Sequence, residues 1–257
     1  MGFGNIIEDI DKFTSILKKI IFIFASFFLF IIFFSYKVIR VYGISLYYPY
    51  PDFFHSFSIS FFLFIKSSTL PPTIILLNLN PFDMLYVDLY SALFLSVALS
   101  FPLILYIILS YLFPALYQKE RRLILFVIGP SVFLFLLGSL FAFYIILPLL
   151  FRVVIILTKS FGVDPTMSVR SFLSFVLMIL LTTGLSFELP VIITSLSYLK
   201  IVSPNTWLKN WRYAIVGSFF IALLISPGAT GGLIESLIGI VLSTLYLIGA
   251  LISKYLF

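Results

Sequence analysis

Two carboxyl groups in this chain stand where carboxyl groups are hard to explain. Glu188 lies in Thr182-Thr183-Gly184-Leu185-Ser186-Phe187-Glu188-Leu189-Pro190, inside a long apolar run. If that run crosses a bilayer, an acid near its centre costs about 2.5 to 3.5 kcal/mol on insertion scales, so it must face protein or water rather than acyl chains. Pro190 has no N–H to offer the carbonyl of Ser186. Gly184, Glu188 and Ser195 fall on one helical face. The result would be a polar notch on a greasy helix, suited to a hydrogen bond with a neighbouring helix. A glutamate nearer the interface, bonded inside the protein, is the plainer alternative; an acid within a span is by default a functional hypothesis.

The second group is Glu120, in Phe113-Pro114-Ala115-Leu116-Tyr117-Gln118-Lys119-Glu120-Arg121-Arg122. A carboxylate takes a guanidinium through two parallel hydrogen bonds, which gives both strength and selectivity. Glu120 therefore suits a basic ligand, although an ordinary solvated, basic loop accounts for the same residues. Other chemistry is poorly supplied. Cysteine is absent and His55 is the single histidine. There is no HExxH motif, no phosphate-binding glycine loop and no aspartate pair within the apolar runs, so a membrane protease is disfavoured and no cofactor or metal is expected. A proton-coupled small-solute transporter, with Glu188 and Asp88 as protonatable groups, stays open as a rival.

The elements that must position these groups are membrane helices. Of 257 residues, 62% are hydrophobic and 10% charged, against about 25% charged in soluble domains. The net charge of +6 does not point to nucleic acid, because the basic residues flank apolar runs as orienting charges do. A span needs about 20 mainly apolar residues. Candidates are 20–36, 86–113, 123–150, 172–199, 211–225 and 233–251. The expected fold is an all-α integral membrane protein, six transmembrane helices in one domain with an external cap region. Residues 1–19 read as an amphipathic lead-in rather than a cleavable signal, since Glu8, Asp9 and Asp11 precede the first run. The proline-rich stretch 41–85 is the cap, with an interfacial helix over 53–65 and a short extended piece over 73–79. An extra span there is the runner-up.

Six spans put both termini on one side. That side holds Lys12, Lys18, Lys19, Lys119, Arg121, Arg122, Lys200, Lys209, Arg212 and Lys254, ten of the 16 Lys and Arg. Both termini are therefore expected in the cytoplasm of a plasma-membrane protein. The fifth run has 15 residues, about 22 Å at the usual helical rise, against a core of about 30 Å. Ser226-Pro227-Gly228 then forces a turn, so this hairpin either thins the bilayer or is covered by protein.

The loop Pro114-Ala115-Leu116-Tyr117-Gln118-Lys119-Glu120-Arg121-Arg122 closely resembles the first cytoplasmic loop motif of the TatC family. Ser186-Phe187-Glu188-Leu189-Pro190 resembles that family's fourth-helix glutamate motif, Trp211-Arg212-Tyr213-Ala214-Ile215-Val216-Gly217 its fifth-helix start, and Ser226-Pro227 the turn that follows. The match covers roughly residues 80–250. It implies a core subunit of the twin-arginine translocase with six spans. Glu120, beside Tyr111, Arg121 and Arg122, would bind twin-arginine signal peptides of folded cargo proteins. The polar helix around Glu188, with Thr182, Thr183, Ser186 and Pro190, would dock single-span partners of the TatA or TatB type. The resemblance further implies an oligomer driven by the proton motive force, with no enzymatic step. The chain departs from the family at Thr14-Ser15-Ile16-Leu17-Lys18-Lys19, which lacks the usual acid before the first helix. It also has Tyr111 in place of a common phenylalanine, and Gly228 or Ala229 in place of an acid, leaving Glu235 as the nearest.

Overall fold

The computed structural model describes residues 3–41, 44–112, 121–225 and 232–256, with side chains over 10–37, 48–111, 127–225 and 232–256. Five described helices are long and apolar enough to cross a membrane: Ile10–Phe33, Asp83–Tyr111, Val127–Ser160, Val169–Tyr198 and Leu233–Leu256. Trp211–Ile225, the fifth run of the sequence, is a shorter apolar helix. With the five longer helices it makes six apolar helices, in the order expected, in a mostly helical membrane fold.

The chain forms two compact units. The first is Met1–Ile65 with Phe82–Ile128. Helix α1 runs over Phe3–Phe33, so the expected lead-in and first span are one helix. No glycine or proline falls between Asn5 and Phe33 to stop it. Strand β1, Phe34–Val41, follows at once and pairs antiparallel with β2, Ile44–Pro51. This hairpin was not expected from the sequence. It straddles the expected end of the first span and the start of the cap. Val38, Ile39, Val41 and Ile44 are β-branched, and such side chains favour strands over helices. The backbone N–H of Asp52 donates to the Phe33 carbonyl at 3.0 Å, closing the hairpin at its base.

Helix α2, Phe57–Thr69, is a short apolar helix that lies a few residues along from the helix expected over 53–65. Pro49, Pro51 and the Asp52 turn delay its start. Helix α3, Asp83–Leu112, packs on α1 through Ile31, Ile32 and Ala92, with Phe27, Phe28, Phe57 and Leu95 around them. Ser96 and Ser100 lie buried on α3 and donate to the carbonyls of Ala92 and Ser96, each at 2.5 Å. Hydroxyls that satisfy themselves in this way let an apolar span carry serine without lipid contact.

The second unit is Lys66–Pro81 with Gly129–Phe257. Helix α4 runs over Arg121–Phe141 and continues through a π-helical turn, Ala142–Ile146, into α5, Leu147–Ser160. The Leu147 N–H donates to Ala142 O, five residues back. Pro148 follows and has no N–H for the carbonyl of Tyr144, which is a physical reason for the wider turn here. Strand β3, Ile75–Leu77, pairs in parallel with β4, Thr166–Ser168. It lies within the short extended piece expected over 73–79.

Helix α6, Val169–Ser186, starts at Ser168, whose Oγ accepts from the Ser171 N–H at 3.0 Å. Phe172 of α6 stacks on Phe151 of α5 at 5.9 Å. Helices α7, Leu189–Tyr198, and α8, Pro204–Lys209, lead to α9, Trp211–Ile225, and α10, Leu233–Leu256. Helix α10 lies against α7 and α9. Trp207 joins the group: its indole donates to Ser197 Oγ at 2.9 Å, and Tyr246 OH donates to the Trp207 carbonyl at 2.9 Å.

Candidate functional site: a buried glutamate at a broken helix

Helix α6 ends at Ser186 and α7 begins at Leu189, with Phe187 and Glu188 forming the turn between them. Pro190 occupies the first turn of α7, where a missing N–H is tolerated. The ladder tightens at the break. The N–H of Phe187 reaches Thr183 O at 3.1 Å, but that of Glu188 reaches Leu185 O, only three residues back, at 3.1 Å. The N–H of Ile192 then returns to Glu188 O at 2.9 Å.

The break leaves the Glu188 side chain 6% exposed, inside protein rather than toward the surface. Ser131 of α4 stands toward its carboxyl. Yet Glu188 Oε1, Ser131 Oγ and Thr183 Oγ1 are each buried without a hydrogen bond. Buried polar atoms are normally satisfied, and each orphan carries a desolvation cost of about 1 to 3 kcal/mol. Glu188 and Ser131, which stand toward each other, therefore leave polar atoms short of partners in the interior. Phe187 closes its apolar side, packed on Phe141 at 5.7 Å.

The other expected members differ. Thr182 Oγ1 donates to Met178 O at 2.6 Å and Ser186 Oγ to Thr182 O at 2.7 Å, so both hydroxyls serve their own helix. Pro190 is buried beneath α10, close to Gly249. Ser131 was not singled out from the sequence. Its only signal is a polar residue beside Gly129 and Pro130 in an apolar run.

Glu120 lies outside the described residues, as do the side chains of Arg121 and Arg122, which open α4. Tyr111, near the end of α3, is half-buried. The segment 226–231, which includes Gly228 and Ala229, also lies outside them. Glu235 is 4% exposed in the first turn of α10.

The first unit holds a different acid cluster. Asp88 of α3 is buried and accepts hydrogen bonds from the hydroxyls of Ser58 and Ser56, the latter at 3.3 Å. Ser56 Oγ in turn accepts from the Ile59 N–H at 3.3 Å. Nearby, Asp52 accepts from Tyr50 OH at 2.7 Å, from His55 Nδ1 at 3.1 Å, and from the Phe54 and His55 N–H groups. The Tyr50 bond is the main reason the Asp52 carboxyl sits below the ordinary aspartate range; partial desolvation opposes it and the His55 and Phe54 bonds assist. The same Tyr50–Asp52 bond raises the Tyr50 phenol. Among the described residues no group of three His, Asp or Glu side chains could hold a metal ion.

The family model described as Sec-independent protein translocase protein (TatC) matches residues 9–239. The Sec-independent protein translocase protein TatC of Escherichia coli K12 is 35% identical over 160 residues, 62% of this chain and 61% of that protein. The chain thus spans about three fifths of that relative's length. The TatCy protein of Bacillus subtilis strain 168 is 34% identical over 181 residues, 69% of this chain and 70% of the relative. The crystal structure of a twin-arginine translocase receptor TatC superposes with a TM-score of 0.72 at 24% identity, covering 96% of this chain and 98% of that one. The apolar helices, the proline-broken turn carrying Glu188 and a family match across most of the sequence converge: the chain belongs to the TatC family of Sec-independent protein translocase proteins.

Proposed function

We propose that this chain is the receptor subunit of a twin-arginine translocase, with two binding stations. The observation that carries the reading is Glu188: a carboxyl buried in a membrane span, facing Ser131 of α4, with Oε1 left without a hydrogen bond. A single-span helix of the TatA or TatB type with a polar side chain on its membrane face would satisfy that atom. Thr183 and Ser131 supply the remaining contacts, while Thr182, Ser186 and Pro190 shape the turn. The second station is Glu120 with Tyr111, Arg121 and Arg122. There a twin-arginine signal peptide of a folded cargo protein would pair a guanidinium with the Glu120 carboxylate. Export is driven by the proton motive force, without an enzymatic step in this subunit. The chain is a single polytopic domain in the plasma membrane, an oligomer, with both termini cytoplasmic.

The small-solute transporter draws no support from the family assignment. The test separates the two stations. Glu188→Ala should reduce co-purification of a tagged single-span partner by about tenfold, the loss of one or two buried hydrogen bonds, with signal-peptide cross-linking retained. Glu120→Ala should do the reverse, and Lys66→Ala should change neither. Partner yield unaltered by Glu188→Ala would remove the docking role. Equal labelling of wild type and Glu120→Ala by paired-arginine and paired-lysine peptides would remove the pairing.

A further inference from the structure

Two glycines on neighbouring helices lie against the Glu188 turn, and a third, Gly184, lies against Ser139 one turn before it, each so close that an added Cβ would make a neighbour shift. A Cβ on Gly249 of α10 would stand 2.7 Å from Pro190 Cα and 3.2 Å from Ile193 Cδ1. A Cβ on Gly138 of α4 would stand 2.7 Å from Cγ of the Phe187 ring, and one on Gly184 would stand 2.6 Å from Ser139 Oγ. Carbon atoms in contact normally rest at about 3.5 to 4.0 Å. By contrast, a Cβ on Gly217 of α9 would meet nothing within 4 Å. Gly239 of α10 is as tightly placed, 2.7 Å from Phe219 Cδ1, so close approach is not peculiar to the turn; what sets Gly249 apart is that its nearest neighbour is backbone.

The Gly249 contact is with backbone, so no change of rotamer relieves it. Pro190 is two residues from Glu188, and its ring fixes the backbone dihedral there. Glu188 is held to the same turn by its own N–H and C=O bonds to Leu185 and Ile192. A push on Pro190 is therefore delivered to Glu188. On the α4 side, a push on Phe187 acts on the neighbouring residue of the same turn. Small residues at helix contacts in membranes let backbones approach; here the approach fixes the direction of an acid.

We propose that Gly249 is a positioning residue for Glu188, its bare Cα seating the Pro190 turn so that the carboxyl is held toward Ser131, with Gly138 seating the same turn from α4. An added methyl at Gly249 lifts Pro190 off α10 and misplaces the carboxyl. The partner-capture arm of the test rests on Glu188 being the docking acid; the labelling arm does not.

The experiment uses the full chain in detergent with Gly249→Ala, Gly138→Ala and Gly217→Ala. N,N′-dicyclohexylcarbodiimide reacts with carboxyls in apolar surroundings, and its rate at Glu188 is read by the mass of the peptide. Gly249→Ala should change that rate by about threefold or more, because reactivity follows small displacements of the reacting group, and Gly217→Ala should leave it at the wild-type value. Ile193→Ala should not restore Gly249→Ala, since the closest contact is to backbone. In partner capture, Glu188→Gln combined with Gly249→Ala should lose no more than Glu188→Gln alone, the non-additivity expected of residues acting through one group. A purely structural glycine would instead give additive losses. An unchanged labelling rate in folded Gly249→Ala, or additive losses, overturns the proposal. If Glu188→Gln captures partner as wild type does, the docking reading falls and the labelling rate alone decides the positioning. If Gly249→Ala does not fold, Gly138→Ala carries the same expected and overturning outcomes.

Discussion

Asp88 and Glu188 are both acids buried within membrane helices, and their company separates them. Asp88 accepts from the Ser56 and Ser58 hydroxyls at the start of α2, so span α3 holds the residue, Ser56, that caps the neighbouring helix. A carboxyl at a helix N-terminus also meets the positive end of the helix dipole. Glu188 has no such completion at Oε1. The first is a structural tie, and the second is the acid proposed above for docking. Asp88→Ala should lower unfolding stability in detergent by about 1 to 2 kcal/mol, because the buried Ser56 and Ser58 hydroxyls lose their shared acceptor and keep only their bond to each other. Asp88→Asn, which keeps an acceptor oxygen, should lose less than half of that. A melting midpoint equal to wild type for Asp88→Ala would show that the tie contributes nothing. Glu188 was legible as an anomaly in the sequence, since charge inside an apolar run stands out; Asp88, near the start of its run, entered only as a protonatable group of the rival transporter. Their partners were not legible, because Ser56, Ser58 and Ser131 lie on other elements and serines are common everywhere.

The long helices were legible because lipid demands unbroken apolar runs, and Pro102 and Pro130 did not break them. The first helix is longer than its apolar part, since a lead-in without glycine or proline has nothing to end it. The π-helical turn at Ala142–Ile146 left no mark beyond Pro148, and hydropathy cannot see a change of winding. The β1–β2 hairpin was hidden by its aromatic content, which reads equally as the edge of a span. Contact between α9 and α10 is likewise invisible in one sequence. A Cβ on Gly239 would stand 2.7 Å from Phe219 Cδ1, so these helices approach closely where Gly239 offers no side chain. Gly239→Ala should destabilise the folded protein by about 1 to 3 kcal/mol, the usual range for overpacking. Gly217→Ala on α9, with open space around it, should be neutral or slightly stabilising through helix propensity. Equal melting midpoints for the two variants would contradict this account of the α9–α10 contact.

At the level of the whole chain, the six-span proposal makes a prediction about sidedness. The sequence has no cysteine, so a single introduced thiol reports one position without further editing. Lys37→Cys, at the base of the hairpin, should react with a membrane-impermeant maleimide in intact cells. Lys254→Cys, near the end of α10, should react only after permeabilisation. Reaction of both from one side would remove the topology and, with it, the cytoplasmic placement of the Glu120 loop. The join between α1 and β1 bears on how such a protein feels its membrane. Phe33 ends the helix and Phe34 starts the strand with no loop between them, and the Asp52–Phe33 bond fastens the returning strand to the same point. A helix whose apolar length differs from the bilayer's thickness responds by tilting. With no loop residue at the junction, any tilt of the helix carries the hairpin with it.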